Sequence, residues 1–400
     1  MRTRSVGTSL IAVLALVSSA CTTGASTSPS TSPSSAPASS AAASSAAAST
    51  PATTSAAPSS DLKIGVVTDV GTVDDKNFNQ YSYEGAQKGA ADIGAVAPKV
   101  VVPADASQYA PDINNFISQG FNIIVTVGFN LTTDTIKAAK ANADVWFIGV
   151  DQAPLCITET GDPDTAATPK CAGDPAKLLP KYIAISYEED QAGYLAGIVA
   201  AGITKADKVG AIGGVNLVPA VVRYIQGYEL GAKSVNPNIE VDTAYVTTSD
   251  FTKAFNDPAT GATFAKQFIA QKGVDVLFQV AGKTGNGVLQ AACAANIAGI
   301  GVDVDQWISL NAASDKTYGC IVTSAEKHLS DSVESAIKGI SDGSAKGGNV
   351  LYDAAKGGVG VAPFTSSISV PQATQDAVTQ ALAAMAAGTL KTCPSDCGQP

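Results

Sequence analysis

The chain has 400 residues, of which 45% are hydrophobic and 15% charged, so it holds enough apolar residues to build sizeable cores. Its 25 Lys and Arg against 35 Asp and Glu give a net charge of −10, which argues against binding nucleic acid through a basic face. The single histidine, His328, excludes metal sites built from several histidines and leaves one candidate base for a Ser-His-Asp triad.

The first 21 residues have the features of an export signal. Arg2 and Arg4 precede an apolar run over residues 9–17, which is too short for a transmembrane helix. Cys21 then follows two serines and an alanine, an order similar to the cleavage site of bacterial lipoproteins, although the first serine stands where leucine is usual. We expect Cys21 to be the lipid-modified N-terminus, with ordinary secretion and an unmodified cysteine as the alternative.

The next segment favours the lipid anchor. Residues 22–60 contain only Thr, Gly, Ala, Ser and Pro. Such a stretch cannot bury enough apolar area to offset its chain entropy, so it predicts a disordered tether. The protein is then expected on the extracytoplasmic face of the cell membrane, in contact with the membrane only through its lipid.

From residue 61 onward, short apolar runs alternate with longer amphipathic stretches. The predicted strands cover residues 62–68, 100–102, 122–127, 145–150, 182–186, 208–212, 240–245, 275–280 and 300–302. The predicted helices cover residues 83–93, 110–119, 132–143, 193–203, 220–235 and 287–295. This alternation predicts parallel sheets with helices on both faces. Because the pattern is interrupted near residues 152–181, we predict two doubly wound α/β lobes.

Acidic residues end three of these strands. Asp69, Asp151 and Asp303 each follow an apolar run. In open α/β sheets, ligands bind in the crevice at the carboxyl ends of the strands, so these carboxylates are candidate ligand contacts. Helix N-capping is the alternative and explains less well why all three should lie on one edge.

The loop after the first strand combines an aromatic ring with an amide. Phe78 stands beside Asn79, a pair that can hold a planar heterocycle by stacking and by hydrogen bonds to its edge. A capped turn in which Phe78 fills a hydrophobic gap is the alternative.

A pair of acids and a lysine further along suggest a sugar site. Asp303 and Asp305 are one residue apart on an extended segment, and such a pair can accept hydrogen bonds from vicinal hydroxyls. Lys327 could reach the same hydroxyls, whereas its neighbour His328 is expected to be half-exposed and without a role. Residues 282–287, GKTGNG, lack the first glycine of a phosphate-binding loop and predict a tight strand-to-helix turn.

Without Cys21, six of the seven cysteines remain, an even number for an exported and oxidising setting. Six cysteines allow 15 connectivities. Sequence proximity favours one of them, and free buried thiols are the alternative. The favoured pairs are Cys156–Cys171, Cys293–Cys320 and Cys393–Cys397.

Several longer motifs resemble the basic membrane protein (BMP) family of bacterial lipoproteins, the nucleoside-binding receptors of ABC transporters. They appear, in the order of the family, as VTDVGTVDDKNFNQ, EGAQKGA, VGF, FIGVD, EEDQAGYLAGIVAA, VGAIGG, VDVLFQVAGKTGNGV, GVDVDQ and VTSAEKH. The resemblance runs from about residue 63 to 338. It implies a type I periplasmic-binding-protein fold with two lobes around a hinge. We assign residues 61–180 and 304–340 to lobe 1, and residues 181–303 and 341–400 to lobe 2.

The resemblance also implies which residues bind the base. By motif, Asp69 and Asn79 match polar contacts from the first loop, and Phe78 matches a stacking ring. Phe255 matches the second stacking ring, but the segment before it is longer than usual, so Phe251 competes for this role.

The remaining implied contacts are polar. Asp151 matches an acid near the base, and Gly282 matches a backbone contact. Asp303 and Lys327 match the acid and the lysine that bind ribose. The resemblance implies no cofactor and no metal.

The implied function is a monomeric, lipid-anchored receptor that binds nucleosides, with purine nucleosides as the expected ligands, and delivers them to an ABC permease. A sensory receptor for a sugar or a nucleoside-like solute would share the same fold and pocket. A nucleoside hydrolase would need a metal cluster or a poised acid and base. Residues 339–343 match the letters G-x-S-x-G, but they follow a helix-like stretch and no histidine comes after them. We therefore expect no enzyme.

Overall fold

The computed structural model describes residues 60–365, 367–394 and 397–398, and within them twelve strands form two six-stranded sheets. The strands are β1 (Ile64–Thr68), β2 (Lys99–Val101), β3 (Ile123–Val127), β4 (Trp146–Val150), β5 (Tyr182–Tyr187), β6 (Lys208–Gly213), β7 (Glu240–Tyr245), β8 (Val276–Val280), β9 (Ala298–Asp303), β10 (Ile321–Lys327), β11 (Gly348–Tyr352) and β12 (Val359–Val361). The α-helices are α1 (Phe78–Asp92), α2 (Tyr109–Ser118), α3 (Thr132–Ala141), α4 (Pro175–Leu178), α5 (Glu189–Ile203), α6 (Pro219–Val235), α7 (Phe251–Phe255), α8 (Pro258–Lys272), α9 (Gly282–Ala294), α10 (Gln306–Ser309), α11 (Leu329–Asp342) and α12 (Gln372–Ala386).

The two sheets confirm the predicted pair of doubly wound α/β lobes. The sheet of lobe 1 has the strand order β11-β5-β4-β3-β1-β2, and all its pairs are parallel. The sheet of lobe 2 has the order β12-β10-β9-β8-β6-β7, and it is parallel except for the edge strand β12, which runs antiparallel to β10.

The strands are continuous apolar runs because helices cover both faces of each sheet. Every residue of β1, β3, β5, β8 and β9 is buried. In lobe 1, α1 packs against α11, and in lobe 2, α5 packs against α6 and α8 against α9. The carboxyl ends of the parallel strands therefore carry the loops that face the other lobe.

Within the described residues, the chain passes between the lobes three times, after β5, after β10 and after β11. Two backbone hydrogen bonds join these crossings: Glu188 N–H donates to the Tyr352 carbonyl (3.0 Å), and His328 N–H donates to the Gly358 carbonyl (2.9 Å). His328 is half-buried at the start of α11. Three adjacent crossings of this kind form the hinge region of the fold.

The predicted lobe boundaries need correction at three strands. Residues 182–187 were expected in lobe 2, but β5 pairs with β4 and β11 in lobe 1. The prediction placed residues 304–327 in lobe 1 and 348–352 in lobe 2, whereas β10 lies in the sheet of lobe 2, with α10 packed against it, and β11 lies in the sheet of lobe 1. Buried parallel strands look alike in sequence, and the partner that decides the sheet is distant along the chain.

Three helices begin earlier than their apolar pattern. The first residues of α1, α5 and α9 are Phe78, Glu189 and Gly282, four or five positions before the predicted starts. Their first turns are rich in polar residues and glycine, so helical periodicity becomes visible only in the second turn. Strands β10, β11 and β12 and helices α4, α7, α8, α10 and α12 were not predicted.

All three predicted disulfides are confirmed: Cys156–Cys171, Cys293–Cys320 and Cys393–Cys397 are bonded. The predicted export signal, Cys21 and nearly all of the tether over residues 22–60 lie outside the described residues. None of the helices that the structure describes combines the length and the apolar character needed to span a membrane.

Candidate functional site

A cleft lies between the lobes, at the carboxyl ends of strands from both sheets. All eight residues predicted to bind ligand line it, so the structure brings the whole predicted set together. The lining residues are Asp69, Val70, Asp75, Phe78, Asn79, Gly128, Phe129, Asn130, Asp151, Val218, Ala220, Val221, Tyr224, Phe255, Val280, Gly282, Lys283, Val302, Asp303 and Lys327.

The first loop is held by Asp75, which sequence reasoning did not select. Its carboxylate accepts hydrogen bonds from the backbone N–H groups of Asn77 (2.9 Å), Asn79 (2.9 Å) and Gln80 (3.1 Å), and so caps the N-terminus of α1. Burial raises the pKa of Asp75, and these hydrogen bonds partly oppose the rise. The cap fixes Phe78, the first residue of α1, at the wall of the cleft.

Asn79 has one side-chain polar atom without a protein partner among the described residues. Its amide nitrogen donates to the Val70 carbonyl (3.1 Å) and to the Asp75 carboxylate (3.0 Å). Its amide oxygen is buried without a hydrogen-bond partner among the described residues. A donor on a bound solute could supply the missing bond, and leaving such an atom unpaired is costly.

Asp69 lines the cleft, but protein groups already engage its carboxylate. It accepts hydrogen bonds from the Tyr109 hydroxyl (2.6 Å), from the Asn130 backbone N–H (3.1 Å) and from the Asn130 side chain (3.1 Å). Burial raises the pKa of Asp69, and these donors partly oppose the rise. One structural effect of Asp69 is therefore to hold Asn130 at the edge of the cleft.

The second aromatic wall comes from lobe 2. Phe255 ends the short helix α7, where Asp250 accepts a hydrogen bond from the Lys253 backbone N–H (3.0 Å) and caps the helix. Phe255 is among the lining residues, whereas its competitor Phe251 is not. The two ring centroids lie 6.2 Å apart. The structure thus favours Phe255 as the ring that faces Phe78 from the opposite lobe.

Lys327, at the end of β10, is a buried cation surrounded by three carboxylates. Its Nζ lies 2.5 Å from Asp151, 3.5 Å from Asp303 and 3.6 Å from Glu189. It also lies 4.8 Å from the centre of the Phe78 ring, within range of a cation–π contact. Burial alone would lower the pKa of Lys327, but the three carboxylates raise it above its ordinary value. The lysine therefore remains charged.

The two strand-end acids beside Lys327 have unusual backbones and raised pKa values. Both lie in the left-handed region, with φ of 57° at Asp151 and 66° at Asp303, a conformation that Asp tolerates better than most residues. Burial raises the pKa of Asp151 to about 6, against the opposing charge of Lys327. Burial likewise raises the pKa of Asp303. One oxygen of Asp151 is buried without a partner among the described residues, so it can accept a hydrogen bond from a ligand.

The predicted pairing of Asp303 with Asp305 is wrong. Asp305 does not line the cleft, and its carboxylate caps α10 by accepting from the backbone N–H groups of Trp307 (3.0 Å) and Ile308 (3.2 Å). The extended segment ends at Asp303, whose left-handed backbone turns the chain. The two side chains therefore do not share a direction.

Sequence reasoning missed an ion pair behind Lys327. Glu189 is fully buried, and its other oxygen accepts from Arg223 Nε at 2.6 Å. Burial opposes the charge of Arg223, but Glu189 raises its pKa above the ordinary value. Tyr224, next along α6, donates to Asp303 at 3.4 Å. The sequence could have indicated Glu189 as a candidate, because this acid lies just after the predicted strand over residues 182–186.

Comparison with known proteins agrees with this geometry. Residues 62–387 match the family model Bmp, described as ABC transporter substrate-binding protein PnrA-like. The chain belongs to this family. The protein is therefore a substrate-binding protein of an ABC transporter and not an enzyme.

Related proteins are similar over most of their length. A protein of Lactococcus lactis subsp. cremoris, named ABC transporter nucleoside-binding protein BmpA, is 31% identical over 75% of this chain and 81% of its own. The CD4+ T-cell-stimulating antigen of Listeria monocytogenes is 30% identical over 78% of this chain and 83% of its own.

Solved structures share the two-lobed fold. A solute-binding protein of an ABC transporter system from Aeropyrum pernix superposes with a TM-score of 0.66 at 21% identity, over 82% of this chain and 92% of its own. One from Conexibacter woesei gives a TM-score of 0.60 at 25% identity, over 82% of this chain and 98% of its own. These likenesses support the type I periplasmic-binding-protein fold.

Proposed function

We propose that this family member is a lipid-anchored receptor that binds purine nucleosides between its lobes and delivers them to an ABC permease. The observation that carries the proposal is the composition of the cleft, which has aromatic rings on opposite lobes and a charged cluster at the hinge side. A flat apolar slot beside fixed polar groups suits a solute with a ring at one end and hydroxyls at the other.

The aromatic part of the cleft supports a base. Phe78 comes from lobe 1 and Phe255 from lobe 2, so a planar ring between them would contact both lobes at once. The unpartnered amide oxygen of Asn79 is an acceptor for a ring N–H or an exocyclic amine. A free sugar would use neither feature.

The charged part of the cleft supports a ribose. Sugar hydroxyls can donate to Asp303 and to the unpartnered oxygen of Asp151, and they can accept from Lys327. Hydrogen bonds to charged groups are stronger than neutral ones, so two vicinal hydroxyls would gain more here than an isolated one. The name of the Lactococcus lactis relative is consistent with a nucleoside ligand.

The anchor and the permease complete the proposal. Cys21 and the tether after it would keep the receptor at the outer face of the membrane, close to a permease. The family description, substrate-binding protein of an ABC transporter, supports delivery to such a partner.

Calorimetric titration of the purified protein with inosine, hypoxanthine and ribose tests the ligand. We expect inosine to bind far more tightly than either fragment. Phe255→Ala should weaken inosine binding, because stacking contributes roughly 0.5–1.5 kcal/mol beyond area burial. Phe251→Ala is the matched control and should have little effect. If ribose bound as tightly as inosine, the nucleoside proposal would be wrong while the fold and family would stand.

A further inference from the structure

Side chains of lobe 2 form hydrogen bonds with the loop over residues 72–76, which belongs to lobe 1 and leads into α1. Three side chains of lobe 2 donate hydrogen bonds to this loop, two of them to backbone carbonyls. These bonds run from Asn286 Nδ2 to the Asp75 carbonyl (3.0 Å), from Ser309 Oγ to the Lys76 carbonyl (2.8 Å) and from Lys283 Nζ to Thr72 Oγ1 (3.1 Å).

Asn286 is the buried member of this set, and its neighbour Gln306 fixes its orientation. The side-chain oxygen of Gln306 accepts from the Val302 backbone N–H (3.1 Å), a group that can only donate. The amide nitrogen of Gln306 is therefore the end that faces Asn286, and it donates to Oδ1 (3.0 Å). Asn286 is left with its own amide nitrogen toward the Asp75 carbonyl.

A third buried amide extends this chain into the sheet. Gln279, in β8, donates to the Gln306 side-chain oxygen (2.5 Å) and accepts from the Ala281 backbone N–H (3.0 Å). Gly285 leaves room for it, since a Cβ there would lie 1.6 Å from the Gln279 side-chain oxygen. The three buried amides of Gln279, Gln306 and Asn286 therefore explain Gly285 and Asn286 in the GKTGNG segment without a bound phosphate.

We propose that Asn286 is a positioning residue that holds the loop against lobe 2 when the cleft is closed, and that it thereby sets the affinity for every solute. Asn286 is not among the residues that line the cleft, so it acts through the loop rather than on the ligand. The carboxylate of Asp75, whose carbonyl it binds, caps α1 and holds Asn79. The contact that holds the lobes together and the orientation of the Asn79 amide therefore both depend on Asp75.

The bond from Asn286 to the Asp75 carbonyl joins the two lobes, so it is lost when they separate and water can then solvate both groups. Removing it therefore lowers the fraction of closed protein. The apparent dissociation constant equals the intrinsic constant divided by the fraction of binding-competent protein. We call the bond from Asn286 to the Asp75 carbonyl the latch. A weaker latch should raise the apparent dissociation constant by the same factor for all ligands, whereas loss of a ligand contact changes the ranking of ligands.

Asn286→Asp tests the latch, because it keeps the shape of the side chain and turns the donor toward the Asp75 carbonyl into an acceptor. Asn238→Asp adds the same charge at an exposed position of lobe 2 and is the matched control. We expect Asn286→Asp to weaken the binding of inosine and adenosine equally, by at least about tenfold, or about 1.4 kcal/mol. The affinities of Asn238→Asp for inosine and adenosine should stay within about twofold of the wild-type values. Unchanged affinity, or a loss confined to one nucleoside, would overturn the proposal.

The nucleoside probes rest on the proposed function, so a second readout uses the ligand-free protein. The amides of Asn77 and Asn79, bonded to Asp75, should exchange hydrogen faster in Asn286→Asp than in Asn238→Asp, and the radius of gyration from X-ray scattering should increase. If wild-type protein bound no nucleoside, the proposed function would fail and these two measurements would decide the latch alone. Identical amide exchange rates and an identical radius of gyration in Asn286→Asp and Asn238→Asp would refute the latch. Should Asn286→Asp not fold, Asn286→Ala, which removes the donor without adding charge, takes its place with the same criteria.

Discussion

At the scale of single residues, Lys327 keeps its charge in a buried site because Asp151, Asp303 and Glu189 surround it. Removing one partner of a buried charged group leaves the others unbalanced, and this is far more costly than losing an exposed ion pair. Asp151 and Asp303 line the cleft whereas Glu189 does not, and Asp303 also accepts a hydrogen bond from Tyr224. Of these two acids, Asp303 is the one that the sequence motif matches to a ribose-binding acid.

We predict that Asp303→Ala weakens the binding of a ribonucleoside by at least about tenfold, because a hydrogen bond to a charged acceptor contributes about 1.5–3 kcal/mol. The loss should be much smaller for the 2′,3′-dideoxynucleoside, which lacks the vicinal 2′- and 3′-hydroxyls that would donate to Asp303. Calorimetric titration of both ligands measures the difference.

Asp305→Ala is the control for this prediction, since Asp305 is the same residue type two positions on and caps α10 outside the cleft. It should leave both affinities nearly unchanged. Equal losses for the two ligands in Asp303→Ala would remove Asp303 from the sugar site.

At the scale of elements, α9 serves two parts of the site. Its first residue, Gly282, lines the cleft, and Asn286, one turn further on, holds the loop of lobe 1. At its other end, Cys293 is bonded to Cys320, just before β10, the strand that carries Lys327. The disulfide thus links α9, the helix that carries Asn286, to β10, the strand that carries Lys327.

We predict that replacing Cys293 and Cys320 together by Ser lowers the free energy of unfolding by about 3.5 kcal/mol, because the bridge constrains a long loop of the unfolded chain. The sequence separation is 27 residues here against 4 for Cys393–Cys397. Chemical denaturation with an intact-disulfide reference measures the change. The Cys393→Ser and Cys397→Ser double variant should lose less, and the reverse order would contradict the loop-length argument.

At the scale of the whole molecule, three crossings join the lobes, and the cleft lies between them. Hinged lobes of this kind close around a ligand as nearly rigid bodies. The proposed receptor would work next to a permease only if it stayed near the membrane, and Cys21 is the residue expected to keep it there.

We predict that Cys21→Ala releases the protein into the medium or leaves it with an uncleaved signal, because no thiol remains to carry lipid. Membrane fractionation and mass spectrometry of the N-terminus distinguish these outcomes from an acylated, membrane-bound protein. Ser19→Ala, which keeps the cysteine, should remain anchored. A processed Cys21→Ala protein still bound to the membrane would refute the anchor.

The sequence by itself determined the alternating α/β pattern, the presence of two lobes and seven of the eight predicted cleft residues, while it left Phe255 open against Phe251. Strand-end acids such as Asp69, Asp151 and Asp303 could be recognised because the carboxyl ends of parallel strands meet at one edge. The motifs also placed Phe78, and proximity along the chain was enough to pair the cysteines correctly.

Only the tertiary structure decided which sheet receives β5, β10 and β11, because strand pairing joins residues far apart in the chain. It showed that Asp303, which has a left-handed φ, lines the cleft whereas Asp305 does not. It also showed that Phe255, and not Phe251, lines the cleft wall. The contact of Asn286 with the loop of lobe 1 spans 211 residues of sequence. Such a bond depends on how two separately built lobes meet, and no local pattern of residues encodes that.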